Sequence, residues 1–208
     1  VGENGWSKCT LKDGDRIFGD YNQGGVRGKP PYILDRFDLE YMKQFDFVHT
    51  GNYCYTESQL RTMKEAGIKI SFDFSDDSSR AYYEQYAPYV TYAFCSFEGD
   101  DEAAREHLKF IHALGPEIAS LTRGSRSCIM YDGEQFYVQP ATMIENVVDT
   151  MGAGDSFLTA FMDCYIDQMK KGVEKPEAIR VSISDASKFA AHVCTLNGAF
   201  GHGKPYED

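Results

Sequence analysis

Short runs of aromatic and β-branched residues alternate along this chain with helix-length segments that carry capping signals. That alternation restricts the fold more than any other feature. Residues 68–74, 89–97 and 118–122 have the length and composition of buried strands, and 45–49 reads as a further one. Between them, Thr56-Glu57-Ser58-Gln59 spells a capping box that opens a helix stopping at Gly67, residues 80–86 form another helix, and Asp100 caps a third that runs to Leu114 before Gly115. Residues 128–131 and 136–139 flank the turn Asp132-Gly133 as a hairpin. A strand closing at Val148, a helix from Gly154 to Met169 and a helix entered at Pro176 and left at Gly198 complete the reading. Strands separated by helices require right-handed crossovers, so the expected class is α/β, with a mainly parallel sheet covered on both faces.

The first residues follow a different rule. Residues 7–11 and 16–21 flank Asp13-Gly14 as a β-hairpin, and the glycine- and proline-rich stretch from Gly24 to Pro31 then breaks the chain. The expected division is a hairpin segment, 1–28, and an α/β segment, 29–208.

Charge removes several functions. With 21 Lys and Arg against 32 Asp and Glu, the net charge of -11 repels phosphate backbones and anionic lipid, so neither nucleic acid nor a membrane is an expected partner. The apolar run at 157–162 is cut by Asp163, far short of a spanning helix. Six dispersed cysteines without a C-x-x-C pair read as reduced thiols, which points to a cytoplasmic location, and the five histidines show no metal-binding spacing. The stretch 198–205 is close to a P-loop, but Pro205 stands where the metal-binding hydroxyl belongs.

Chemistry concentrates at Val147-Val148-Asp149-Thr150-Met151-Gly152-Ala153-Gly154-Asp155-Ser156-Phe157, where small residues lead into a helix. Small residues let a ligand approach the backbone, and unpaired first-turn amides favour an anion. A carboxylate one residue on is placed to take a proton from an attacking hydroxyl. The same residue types also suit tight packing with Asp155 as a cap. The full string D-T-x-G-A-G-D-S-F resembles the C-terminal signature of the ribokinase-like (PfkB) carbohydrate kinases, with Thr159 in place of a smaller residue.

The resemblance implies ATP and Mg2+ as cofactors, Asp155 as catalytic base, and Gly152, Ala153 and Gly154 as the anion hole. It also implies Thr122 and Gly124 in a nucleotide loop whose second glycine is replaced by Ser127, with Ser187 near the base. Asp149 and the Met151 carbonyl match positions for a monovalent cation such as K+, and Glu98 would be an outer partner of magnesium. The hairpin resembles the family's lid, placing Arg16, Asp20 and Tyr21 toward substrate and a homodimer interface on the lid. The string D-R-I-F-G-D-Y, with Phe72-Asp73-Phe74-Ser75-Asp76, is similar to the fructoselysine 6-kinase branch, implying a sugar or sugar-amine substrate phosphorylated at a primary hydroxyl. Other sugar kinases, of fructokinase or ribokinase type, and a non-catalytic nucleotide- or partner-binding remnant are the alternatives. Because the opening βα segment and Gly-Gly-Asn stretch of the family do not precede the lid strand, the chain is expected to be N-terminally truncated.

Overall fold

Buried apolar residues spaced for strands and for helices set the element order in a computed structural model that describes residues 5–12, 15–22, 33–77 and 79–202. The turn at Asp13-Gly14, the break from Gly24 to Pro31 with its glycines 24, 25 and 28, and residues 203–205 lie outside the described residues. By contacts the chain forms two units. One joins the hairpin (Val1–Gly25) to Gly124–Ser127 and Gln139–Asp208; the other comprises Val26–Arg123 and Cys128–Val138.

The second unit carries a six-stranded sheet of β3 (Val48–Gly51), β4 (Ile70–Asp73), β5 (Tyr92–Ser96), β6 (Ile118–Thr122), β7 (Ser127–Tyr131) and β8 (Phe136–Pro140), in that spatial order. β3 to β6 are parallel, and β7 turns back antiparallel to β6. Helices α1 (Arg36–Met42), α2 (Glu57–Glu65), α3 (Arg80–Tyr86) and α4 (Asp101–Ala113) fall before or between these strands. Leu60, Phe72, Phe74, Tyr83, Leu108, Leu121 and Ile129 form the centre of the core. The alternate strand residues Ser71, Tyr92, Ile118, Ser120 and Met130 are buried too, as expected of a sheet covered on both faces.

Local chemistry explains the boundaries. Asp100 caps α4 by accepting from Ala103 N at 2.8 Å. Gly67, at φ +81, ends α2 in a left-handed turn in which Ile68 N reaches Met63 O at 3.0 Å. Asp132 holds the β7–β8 turn through Glu134 N and Gln135 N, at 3.0 and 2.9 Å.

Four expectations need correction. The strand placed at 45–49 begins at Val48, because Phe45 follows α1 and packs edge-on against Tyr41, ring centroids 5.1 Å apart. The strand placed at 89–97 begins at Tyr92, since Pro88 sits in a 3-10 turn over Ala87–Tyr89. The Thr56 capping box does not form: its hydroxyl meets Thr50 Oγ1 at 2.5 Å, and Gln59 Oε1 instead accepts from Leu34 N. No strand closes at Val148, where the chain is irregular.

In the first unit, β1 (Trp6–Lys12) and β2 (Asp15–Asn22) pair antiparallel, with Cys9 opposite Phe18 and an irregularity between Ser7 and Cys9. Helices α5 (Ala153–Lys170) and α6 (Lys175–Val193) pack on each other.

Phe74 is fully buried and stacks on Tyr83 at 4.4 Å. Phe74→Ala should destabilise the protein by about 3–5 kcal/mol, read from the shift of the urea unfolding midpoint. A midpoint at the wild-type value would show that this core does not depend on the aromatic stack.

Candidate functional site

The unit formed by the hairpin and Gln139–Asp208 holds most of the residues singled out in the sequence. Beyond β8 the irregular chain is pinned where Val148 N and Asp149 N donate to Cys194 O at 2.9 and 3.3 Å. It turns at Gly152, φ +75, and enters α5. Glycine is required there twice over: the backbone is left-handed, and a Cβ would stand 3.2 Å from that of Ala199.

Ala153 N donates to Thr150 O, and the first intrahelical bond runs from Ser156 N to Gly152 O at 2.8 Å. The first-turn amides of Gly154 and Asp155 therefore come before any intrahelical acceptor, at the positive end of the helix dipole. Open space surrounds Gly154, and Asp155 is exposed beside it. The arrangement sets first-turn amides that have no intrahelical acceptor beside an exposed carboxylate.

Asp149 lies under this loop and is completely buried. Its Oδ1 accepts from Arg16 Nε at 2.8 Å and Met151 N at 3.0 Å. Its Oδ2 accepts from Arg16 Nη2 and from Gly198 N at 2.8 Å. The Arg16 guanidinium, against the cost of burial and aided by the Met151 and Gly198 amides, holds the Asp149 carboxyl well below the usual carboxylate range. Four donors occupy the four lone-pair positions of the carboxylate. The carboxylate's acceptor capacity is thus taken up by N–H groups, one of them from Met151. Arg16, expected to face substrate, is turned to Asp149 and also donates to Cys9 Sγ at 2.7 Å. Asp20 and Tyr21 are exposed on β2.

Ser187, on α6, is buried and committed to the chain. Its hydroxyl accepts from Thr142 N at 3.1 Å and meets Thr142 Oγ1 at 2.9 Å, which ties the segment after β8 to the helix.

In the sheet-bearing unit, Thr122 ends β6 and its carbonyl accepts from Phe97 N at 3.0 Å. The chain then turns at Gly124, φ +58, with open space around that position. Glu98 is exposed just beyond β5. Thr122 and Glu98 thus stand at the carboxyl ends of neighbouring parallel strands, the usual ligand-binding edge of such sheets. Ser75, one strand over, adopts φ +54 and is held by Asp73 Oδ1, which accepts its N–H at 2.8 Å. Among the described residues no cluster of three or more His, Cys, Asp or Glu could hold a metal ion.

A profile of the pfkB family carbohydrate kinases matches residues 12–200. Fructosamine kinase FrlD of Bacillus subtilis (strain 168) is 34% identical over 209 residues, covering 99% of this chain and 69% of its own length. Fructoselysine 6-kinase of Escherichia coli (strain K12) is 32% identical over 182 residues, 88% of this chain and 67% of that protein. Arabidopsis thaliana ribokinase, solved with ribose and ATP, aligns with a TM-score of 0.70 at 20% identity, covering 94% of this chain and 64% of its own. The fold is therefore α/β and ribokinase-like, and the chain spans about two thirds of the length of these proteins.

The depressed Asp149 carboxyl sets a pH dependence. A carboxylate stabilised in the folded state contributes its full stability above the unfolded pKa of about 4 and loses it as pH falls toward the folded value. Asp149→Asn should lower stability near neutral pH, and its deficit against wild type should shrink below about pH 4 in urea unfolding measurements. A deficit unchanged across that range would show that the charge of Asp149 is irrelevant to folding.

Proposed function

Because the chain belongs to the pfkB family of carbohydrate kinases, we propose that the protein transfers the terminal phosphoryl group of ATP to a primary hydroxyl of a fructosamine, fructoselysine being the first substrate to test. The observation that carries this reading is the junction of Gly152 with α5: a left-handed glycine, outward first-turn amides and an exposed carboxylate within one turn. The choice of fructosamine is supported by the names of two relatives at 34% and 32% identity.

Asp155 accepts the proton of the sugar hydroxyl as its oxygen attacks the terminal phosphorus, an O–P bond forms, and ADP departs. Negative charge on the transferring group faces the turn from Gly152 through Ala153 to Gly154, where the Gly154 amide has no intrahelical acceptor. Thr122 and Gly124 are assigned to the nucleotide, and Ser187 acts by positioning the segment after β8. Mg2+, when bound, offsets phosphate charge; with Glu98 its only assigned protein neighbour, it would be held mainly by nucleotide and water. Asp20 and Tyr21 extend from the hairpin, assigned as the lid, toward the aminoacyl tail of the substrate.

A cytoplasmic location belongs to the same reading, in keeping with six free thiols; among the described residues no helix is long and apolar enough to cross a membrane. So does a homodimer through the hairpin, where Phe18 and Tyr21 are 64% and 66% exposed.

Asp155→Asn should lower kcat for fructoselysine phosphorylation by about 10²–10⁴, with nucleotide affinity by calorimetry unchanged. Turnover near wild type would remove Asp155 from the chemistry. Light scattering should report a dimer that Phe18→Asp converts to monomer, and a wild-type monomer at all concentrations would refute the lid interface.

A further inference from the structure

The pairing of Arg16 with Asp149 deepens the kinase reading and rests on it. Family resemblance implies a monovalent cation between the Asp149 carboxylate and the Met151 carbonyl, beside the anion hole. Such an ion binds through oxygen lone pairs, and the Asp149 oxygens already accept four N–H bonds, two of them from one guanidinium. The carboxylate is completely buried, and its single charge is matched by a single cationic side chain that is itself 20% exposed. A further cation would bring a second positive charge to a group with no acceptor left to offer.

We propose that the Arg16 guanidinium takes the place of the monovalent cation, so that the loop from Asp149 to Gly152 is held in shape by the chain itself and phosphoryl transfer does not depend on K+ or Na+. The chemistry suits the exchange. Guanidinium is permanently charged, and its planar fork spans both carboxylate oxygens, which a spherical ion does without directional preference. An ion must also be gathered from solution, whereas Arg16 is delivered by β2. The substitution has a mechanical result: the strand that carries the exposed Asp20 and Tyr21 is fastened to the loop that forms the anion hole. Arg16 is thus a positioning residue that couples the hairpin to the catalytic loop.

The test compares wild type, Arg16→Ala and Arg16→Lys in KCl, NaCl and choline chloride at equal ionic strength, by thermal unfolding and by ATP-dependent phosphorylation of fructoselysine. Wild type should show the same Tm and kcat in all three salts. Arg16→Ala should lose roughly 5–10 °C in choline chloride and recover part of it in KCl, as the ion reaches vacated lone pairs. Arg16→Lys, a point charge unable to span both oxygens, should fall between. Saturable stabilisation or activation of wild type by K+ or Na+ would overturn the proposal, as would an Arg16→Ala protein with wild-type Tm or with no response to K+. Should Arg16→Ala fail to fold, the lysine variant and the wild-type salt series decide. Absence of phosphorylation in every salt would sink the kinase reading, while the unfolding series would still judge the ion pair.

Discussion

One buried carboxylate organises the hairpin-bearing unit. Removing a charge from water costs several kcal/mol unless its acceptor positions are met, and at Asp149 they are met by groups from three distant parts of the chain: Arg16 on β2, the Met151 amide before α5, and the Gly198 amide after α6. Each donor fixes the segment that supplies it. The hairpin is held against the α5 approach, the loop before α5 takes the curve that Gly152 permits, and the turn after α6 comes close enough that Gly152 has no room for a side chain. The loop that leads into α5 is thus shaped around this carboxylate.

The sheet-bearing unit is built on a different economy, in which apolar burial sets the geometry and polar groups finish it. Its central strands β4, β5 and β6 are buried on both faces, so their register is pinned by the core and their carboxyl ends fall in line. Thr122 and Glu98 owe their positions at the carboxyl ends of β6 and β5 to that alignment. At the carboxyl end of β4, Ser75 stands in the left-handed region.

Most of this architecture was legible from local chemistry. Asp100 and Gly115 bracket α4, Gly67 stops α2, and Asp132-Gly133 turns β7 into β8, because each signal acts within a few residues of itself. Signals failed where a distant partner competed. Thr56 has the letters of a capping box, yet Thr50 claims its hydroxyl and Gln59 is drawn to Leu34. The box that does form, Asp35 with Asp38, has aspartate where glutamate or glutamine is usual, so the letters alone do not mark α1. Val148 is apolar and flanked by strand-like residues, but its amide bonds to Cys194 O at the end of α6, so no ladder forms. The Arg16 pairing spans 133 positions, and no local pattern announces it. The D-T-x-G-A-G-D string marks the stretch that enters α5, but it does not announce how Asp149 is neutralised.

That string places two aspartates within one short stretch, and the structure gives them opposite environments. Asp149 is buried with its acceptors saturated, a condition that keeps it ionised and makes it useless as a proton acceptor, since protonation would break bonds that hold the loop. Asp155 is exposed in the first turn of α5, beside amides that have no intrahelical acceptor. A general base needs a vacant lone pair and an open approach, and of the two aspartates only Asp155 is exposed. The roles cannot be exchanged: a carboxylate at the rim could not draw three segments together, and a saturated one beneath the loop could not take a proton. Sequence proximity of the pair follows from this division, because the residue that sets the loop's shape must lie within reach of the loop that leads into α5.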